Sequence, residues 1–356
     1  MQINPISFLG EHAIFSGVEL PNSSVSYLDM AHELAYTDMA SQFNIDVPKY
    51  FASLSYETQG EPARYPVVKI TREHLQNVFK NLFIMDKNNF SHNDLDIAHI
   101  FYGSEGKVEF DCFRFADAFV KKSNKQYNLP DFMVPSNQIN YECASLGAYI
   151  DTFSNETAKN NFLRSYLEES ADYHKKKAEI AATPEMAEYE TLQSEVLQDV
   201  DDRMIDLLND RLNFLYQQRK AFTEWDEGHG ACQHKFDRQR CINSIPEYLK
   251  AAQMAIDYMG KAMFLSSMEK GDKAKYYEYE AQTGEYFANK YLEWIEGMAN
   301  YNFEPQKNKE RNVCPLDDEQ REYLAKEYKK ILEAPVAFKK EFIYSYLELY
   351  KNASQI

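Results

Sequence analysis

The stretch that decides the fold runs from position 92 to position 113 and reads HNDLDIAHIFYGSEGKVEFDCF. Two short apolar segments, 100–102 and 108–110, flank a Gly-Ser-Glu-Gly turn, which predicts a β-hairpin. The hairpin separates two acidic residues, Asp94 in the loop before it and Asp111 directly after it. Carboxylates placed in this way suit phosphoryl transfer, because one can orient or deprotonate an acceptor hydroxyl while the other holds the Mg²⁺ that bridges nucleotide phosphates.

The segment before this loop predicts an amphipathic helix. Thr71 is a suitable N-cap, and Glu73 follows in the first turn. Apolar residues at i, i+3, i+4, i+7 and i+8 form one broad face: Leu75, Val78, Phe79, Leu82 and Phe83. The Asp-Lys-Asn-Asn sequence at 86–89 ends the helix. Further upstream the pattern predicts a helix at 26–43 and a short strand at 65–70.

From about residue 155 the chain predicts helices almost throughout. Thr183-Pro184-Glu185 is a strong start signal, and no Gly or Pro follows before position 228, which indicates either one long helix or two helices. Further helices are predicted at 245–269, 273–299 and 317–350. We interpret the acidic runs at 168–169 and 199–202 as solvated helix faces. The Lys-Lys-Lys turn at 175–177 is too small to define a nucleic-acid site.

Composition narrows the class of protein. The chain has 356 residues, 44% of them hydrophobic, and a formal net charge of −17, which argues against sequence-independent nucleic-acid binding and against a polybasic membrane anchor. Five scattered cysteines fit a reducing compartment. No apolar run approaches the roughly 20 residues of a membrane span. The N-terminus has no basic region before its apolar residues, so we expect a cytoplasmic protein without membrane insertion. Export into a host cell without a cleaved signal peptide stays open.

Residues 26–120 resemble the catalytic core of the protein-kinase-like superfamily, closest to its aminoglycoside-phosphotransferase and choline-kinase branch. That branch has the pattern H-[GN]-D-x-x-x-x-N, a hairpin and an Asp-containing motif. The His-Asn-Asp sequence at 92–94 matches, and Ile100 matches the apolar residue after the Asn. The 12-residue distance from His99 to Asp111 is also the distance that the hairpin requires.

The resemblance implies an α+β protein with a two-lobed kinase-like fold. Residues 1–70 would form a reduced N-terminal lobe, and residues 71–154 the catalytic core with its loop and hairpin. Residues 155–356 would form a large, mostly α-helical C-terminal lobe with the C-terminal helices.

The resemblance also assigns roles to individual residues. Asp94 would be the catalytic carboxylate, His92 would brace the loop backbone, and Asp111 would be the main ligand of Mg²⁺ or Mn²⁺ bound with ATP. Asp96 lies where kinases place a residue that faces the transferred phosphate, and a carboxylate there repels phosphate unless a cation intervenes. Lys69, on the predicted 65–70 strand, is the one candidate for the lysine that clamps the phosphates.

Three features depart from the kinase pattern. His99 stands where the pattern has Asn, and its nitrogen suits Mn²⁺ or Zn²⁺ better than Mg²⁺. The substitution indicates a lost second metal site more often than a changed metal. No G-x-G-x-x-G sequence occurs in residues 1–70, and no lysine-bearing strand precedes the helix at 26–43.

A separate group of residues has zinc-competent side chains: His229, Cys232, His234 and Cys241. The group lacks the paired C-x2-C knuckle of strong zinc motifs, and we do not expect it to bind zinc. A Cys–His nucleophile pair in the same loop would need an activating motif that the sequence does not contain.

Three hypotheses of function follow. The first is a divergent kinase-like phosphotransferase that moves a phosphoryl or nucleotidyl group from a nucleoside triphosphate to an unknown hydroxyl acceptor. By analogy with kinase-like proteins that bacteria deliver into host cells, it would be a secreted effector. The second is a pseudokinase that binds a protein partner through its helical half. The third is a helical interaction protein with no kinase relationship.

Overall fold

The computed structural model describes residues 40–47 without 42, 69–118 without 112, 114 and 115, 136–228, and 238–299. The chain divides into two compact units between Val200 and Asp201. Within these described ranges, no helix combines the length and the apolarity that a membrane span requires.

The first unit contains both short strands and helices. Its strands are β1 (Phe90–Ser91), β2 (Ile100–Tyr102), β3 (Val108–Phe110) and β4 (Asp117–Ala118). Its helices are α1 (Arg72–Lys87), α2 (Asn137–Tyr141), α3 (Gly147–Ile150), α4 (Glu156–Ile180) and α5 (Pro184–Val196). A π-helical segment, Glu142–Leu146, joins α2 to α3. The second unit contains α6 (Asp202–Gly228), α7 (Arg238–Met268) and α8 (Gly271–Ala299). The predicted α+β class is confirmed, with helices far in excess of strands.

Helix α1 begins at the predicted N-cap. The Thr71 hydroxyl accepts a hydrogen bond from the His74 backbone N–H, and the Thr71 N–H donates to His74 Nδ1 at 3.0 Å, which satisfies two backbone donors at the helix start. Four of the five predicted apolar residues are buried, and Phe83 is half-buried. The helix ends at Lys87, and Asn89 follows with a φ of 50°, so the predicted end is also confirmed.

Strands β2 and β3 form the predicted antiparallel hairpin. Ile100 pairs with Phe110, and Tyr102 pairs with Val108. These four side chains share the buried face of the hairpin, because side chains alternate along a strand. The turn packs against the first turns of α1, where Asn77 Nδ2 donates to the Gly106 carbonyl at 2.8 Å.

Glycine is required at position 106. Its φ of +75° lies in the left-handed region, and a Cβ atom there would lie 2.6 Å from the Cβ of Glu73. The turn therefore approaches α1 as closely as it does only because this residue has no side chain.

Strand β1 pairs antiparallel with β4, so that Phe90 faces Ala118 and Ser91 faces Asp117. The chain that follows Asp111 therefore returns beside the strand that precedes His92. This pairing brings the two ends of the segment 90–118 together. The Asp94 loop lies at the open end of the β2–β3 hairpin, opposite its turn.

The region after Thr183 forms two helices, α5 and α6. Thr183 caps α5 as predicted, with its hydroxyl accepting from the Met186 N–H at 3.2 Å. The break lies at 197–201, where the Asp201 carboxylate accepts from the Met204 backbone N–H at 3.0 Å. Our interpretation of the acidic runs as solvated faces is therefore wrong at Asp201, which caps the start of α6. It is also wrong at Glu169, which is buried and paired with Arg72 of α1.

The three long helices described for the second unit pack around an aromatic core. Phe214 of α6 lies 5.2 Å from the Tyr258 ring of α7 and 5.5 Å from the Phe287 ring of α8. A Cβ at Gly284 would lie 2.8 Å from the Tyr258 ring, so this glycine permits the close approach of α7 and α8. Helix α7 starts upstream of the predicted position 245 and contains Pro246.

Several predicted elements lie largely or wholly outside the described residues: the helix at 26–43, the first part of the strand at 65–70, and the helix at 317–350. Residues 69 and 70, which are described, do not belong to a strand.

Candidate active site

The hairpin brings His99 and Asp111 together. The Asp111 N–H donates to the His99 carbonyl at 3.0 Å, which extends the β2–β3 ladder by one pair beyond Ile100 and Phe110. The two residues are therefore neighbours across the open end of the hairpin. Their separation along the sequence is what this register requires.

A tight turn then brings His99 back toward Asp94. The His99 N–H donates to the Asp96 carbonyl at 2.8 Å, which closes a 3₁₀ turn over Ile97–His99. As a result the imidazole lies between two carboxylates. Its Nε2 is 3.5 Å from Asp94 Oδ2, and its Nδ1 is 3.4 Å from Asp111 Oδ1. The structure thus brings together three of the residues that the sequence predicts for the site.

His92 joins the backbones of the two acidic segments. Its Nε2 donates to the Asp111 carbonyl at 2.7 Å, and its Nδ1 accepts from the Asp94 N–H at 3.3 Å. The side chain is fully buried and lies 4.7 Å from the Phe113 ring, centroid to centroid. Burial lowers the pKa of His92 to about 3, so the ring is neutral and has its proton on Nε2. The predicted bracing contact is present in the geometry.

Protonation of His92 makes the stability of the first unit depend on pH. The unfolded chain binds a proton at this residue below its ordinary pKa of 6.5, whereas the folded chain does so only near pH 3. The contribution of neutral His92 to the free energy of unfolding is therefore fully present above pH 6.5 and is lost as the pH falls toward 3, with a slope that approaches about 1.4 kcal/mol per pH unit. Urea unfolding at pH 7, 6 and 5, followed by the ¹³C-labelled His74 resonance, measures this slope.

The matched variant for this measurement is His92→Gln, whose amide can still donate to the Asp111 carbonyl but does not titrate. Relative to the wild type we expect a slope that is shallower by about 0.7 kcal/mol per pH unit between pH 7 and 6 and by about 1.2 kcal/mol between pH 6 and 5, where most unfolded chains bind the proton. Equal slopes in the two proteins would show that His92 binds its proton equally in the folded and unfolded chains.

Side chains of α2 and of the π-helical segment form hydrogen bonds with the backbone of the Asp94 loop. Asn137 Oδ1 accepts from the His92 N–H at 3.1 Å, and Asn140 Oδ1 accepts from the Leu95 N–H at 2.8 Å. Ser145 Oγ donates to the Leu95 carbonyl at 2.6 Å. The three residues were not predicted. Their spacing of i, i+3 and i+8 is a signal of one polar helix face that could have found them, but the sequence does not say which backbone that face would meet.

The backbone turns sharply within the loop. Asn93 has a φ of 64°, in the left-handed region that Asn adopts more readily than most residues. The turn lies between His92, whose ring points inward, and Asp94, whose carboxylate faces His99. A polar residue that tolerates this conformation therefore separates the bracing side chain from the candidate catalytic one.

Of the two residues predicted to bind the nucleotide, Asp96 lies in the Asp94 loop and Lys69 lies before helix α1. Asp96 belongs to the loop itself and accepts the turn-closing hydrogen bond from His99. Lys69 is exposed and directly precedes Ile70 and the cap of α1, beside which the hairpin turn packs. The His99–Asp111 pair lies at the opposite end of that hairpin. Among the described residues, Lys69 forms no ion pair with Asp94 or Asp111, and its role toward the phosphates stays a prediction.

Asp111 offers one oxygen to a hard cation. Its Oδ1 is buried and lies 3.4 Å from His99 Nδ1, but it accepts no well-aligned hydrogen bond among the described residues. A carboxylate oxygen is the type of ligand that Mg²⁺ and Mn²⁺ prefer. The described ranges contain no group of three or more His, Cys, Asp or Glu side chains arranged around a common metal position. When it is protonated, the His99 imidazole can itself serve as the cation between the two carboxylates.

The predicted zinc-competent residues His229, Cys232 and His234 lie outside the described residues. Cys241 lies in α7, but its side chain is not among those that the structure describes. The prediction that this group does not bind zinc stays a prediction.

Comparison of the chain with family models, with curated proteins and with solved structures returned no match.

Proposed function

We propose that this chain is a divergent kinase-like phosphotransferase that moves a phosphoryl or nucleotidyl group from a nucleoside triphosphate to a hydroxyl acceptor. One observation carries the proposal: the carboxylates of Asp94 and Asp111 converge within 3.5 Å of the same imidazole, and His92 joins the backbones of both residues. A pair of preorganised carboxylates on a rigid loop is what in-line transfer to a hydroxyl needs.

The order of elements in the first unit supports a kinase-like lobe. A helix, a loop with His and Asp, a hairpin and a second Asp follow one another, and β1 and β4 close them into one substructure. In the two-lobed fold that we propose, residues 1–70 form the reduced N-terminal lobe. Most of those residues lie outside the described ranges.

Asp94 would orient the acceptor hydroxyl and accept its proton as the bond to phosphorus forms. Asp111, with its buried oxygen, would hold Mg²⁺ or Mn²⁺, which neutralises charge on the phosphates when bound. His92, being neutral and buried, would keep the two acidic segments at a fixed separation. Asp96 would face the phosphates and disfavour their binding in the absence of a cation.

One observation favours a second function, that of a pseudokinase scaffold. The His99 ring lies between the two carboxylates and can compensate their charge without a metal ion. A protein that uses His99 in this way would keep the fold but have no need of nucleotide. Its partner would then bind through the helical half of the chain.

The test is calorimetric titration of ATP and GTP, each with Mg²⁺ or Mn²⁺, into the wild type and two variants. The phosphotransferase proposal expects metal-dependent nucleotide binding that Asp111→Ala abolishes. It also expects His99→Asn to strengthen that binding, because the amide oxygen is a better ligand for a hard cation than the imidazole nitrogen.

The pseudokinase alternative expects no heat of binding in the wild type or in Asp111→Ala. Binding that appears only in His99→Asn would show that His99 replaces the cation. Binding that is equal with and without a divalent cation in all three proteins would contradict the role of Asp111.

A further inference from the structure

We propose that Asp86, in the last turn of α1, is a positioning residue for the loop that carries Asp94. It would act through Asn137, the side chain on which the His92 backbone rests. The catalytic role of Asp94 in this inference rests on the proposed function. The positioning of the loop rests on the contacts alone.

Asn137 uses both ends of its amide to hold the loop. Its Oδ1 accepts from the His92 N–H at 3.1 Å, and its Nδ2 donates to the Phe90 carbonyl at 2.8 Å. Only one orientation of the amide satisfies both contacts. With the amide reversed, an NH₂ group would face the His92 N–H and an oxygen would face the Phe90 carbonyl.

Asp86 selects the orientation that holds the loop. Its Oδ1 accepts from Asn137 Nδ2 at 3.0 Å, and an ionised carboxylate can only accept. A reversed amide would place its oxygen against this carboxylate and would repel it. Because the Asn137 side chain is buried, water does not compensate for the wrong orientation.

Asp86 is itself fixed by helix α4. The Tyr173 hydroxyl donates to its Oδ2 at 2.6 Å, and Lys177 Nζ lies 3.9 Å from the same oxygen. Lys177 is in turn paired with Glu190 of α5 at 2.9 Å. A continuous set of polar contacts therefore runs from α5 through α4 and Asp86 to Asn137 and the Asp94 loop.

A double-mutant cycle tests this inference. Asp86→Ala removes the acceptor that selects the orientation of the Asn137 amide, so the loop should lose its support. Asn137→Ala removes the amide itself. Because Asp86 acts through Asn137, the double variant Asp86→Ala/Asn137→Ala should behave like Asn137→Ala alone.

The readouts are the backbone amide resonances of His92 and Asp94, the imidazole ¹⁵N resonances of His92, and ATP turnover. Asp86→Ala and Asn137→Ala should each shift the three sets of resonances and lower kcat at least about tenfold, with the KM for ATP within about twofold of the wild type. The double variant should keep the resonance positions of Asn137→Ala and have a kcat within about threefold of that variant. Tyr173→Phe is the control that loses one contact to Asp86 but keeps the Asn137 contact, and it should leave the loop resonances in place.

If the effect of Asp86→Ala on the resonances is as large in the Asn137→Ala background as in the wild type, the inference is wrong. It is also wrong if Asp86→Ala lowers stability but leaves the loop resonances unchanged, because Asp86 would then have a structural role only. If Asp86→Ala does not fold, Asp86→Asn decides: its amide no longer excludes the reversed orientation of Asn137, so shifted loop resonances support the inference and wild-type resonances overturn it. Absence of ATP turnover in the wild type would count against the proposed function alone, because the resonances still decide the positioning role.

Discussion

Asp94→Asn is expected to lower the proposed phosphoryl transfer at least about 100-fold, because an amide in place of the proposed base cannot accept the proton of the acceptor hydroxyl. The substitution keeps the size of the side chain and keeps an oxygen that can face His99, whose Nε2 lies 3.5 Å from Asp94 Oδ2. The folded structure should therefore persist, and binding of the nucleotide with its metal should change little. The loss should appear in kcat and not in the KM for ATP.

The measurement uses ATP labelled at the γ-phosphate and, in parallel, at the α-phosphate, with hydrolysis and self-modification as the readouts. A γ-label transferred to protein indicates phosphoryl transfer, and an α-label indicates nucleotidyl transfer. Glu105→Gln is the matched control, since this exposed carboxylate lies in the hairpin turn at the end away from the site. If Asp94→Asn retains the wild-type rate, Asp94 is not the catalytic carboxylate.

Lys177→Met is expected to destabilise the first unit by about 3–5 kcal/mol, because it leaves buried carboxylates without their cation. Lys177 Nζ lies 2.9 Å from Glu190 Oε1, and the Glu190 side chain is only 4% exposed. Burial by itself raises the pKa of Glu190, but Lys177 and His174 lower it to about 2. Without Lys177 this pKa should rise, so Glu190 should take up its proton in the folded variant at a higher pH than in the wild type. The destabilisation relative to the wild type should therefore be largest above pH 4.5, the ordinary pKa of a glutamate, and should shrink as the pH falls toward 2.

Lys176→Met is the matched control, one position earlier in the same helix and exposed. It should change the free energy of unfolding by less than about 0.5 kcal/mol. Tryptophan fluorescence is unsuitable, since the chain has two tryptophans and both Trp225 and Trp294 belong to the second unit. Hydrogen exchange of the amides in α4 and α5 reports the first unit directly, and equal protection in the two variants would contradict the prediction.

The parts of the first unit that could be predicted are those determined by residues close to one another in the sequence. The Thr71 cap, the end of α1 and the hairpin follow from local chemistry, and the ladder that places His99 beside Asp111 follows from the length of the hairpin. The start of α6 could also have been predicted, because Asp201 directly precedes the helix and is a suitable N-cap residue. We did not predict this cap because we interpreted the whole acidic run at 199–202 as a solvated helix face.

The contacts that hold the site could not be predicted in this way. Asn137 lies 45 positions from His92, and Tyr173 lies 87 positions from Asp86. Such pairs depend on how α1, α2 and α4 pack, which periodicity does not specify. Lys177 shows the same difficulty, since it belongs to a run of three lysines in which it alone forms the buried pair with Glu190.

The β2–β3 ladder has a consequence for how this protein tolerates changes in length. The register of the paired strands, and not the length of the turn that joins them, places His99 opposite Asp111. Residues added at the tip, around Glu105, would enlarge the loop and leave the two side chains opposite each other. One residue added inside either strand would rotate the following side chains to the other face of the hairpin and separate the pair. Natural or engineered insertions are therefore compatible with this site at the tip of the hairpin and incompatible with it along the strands.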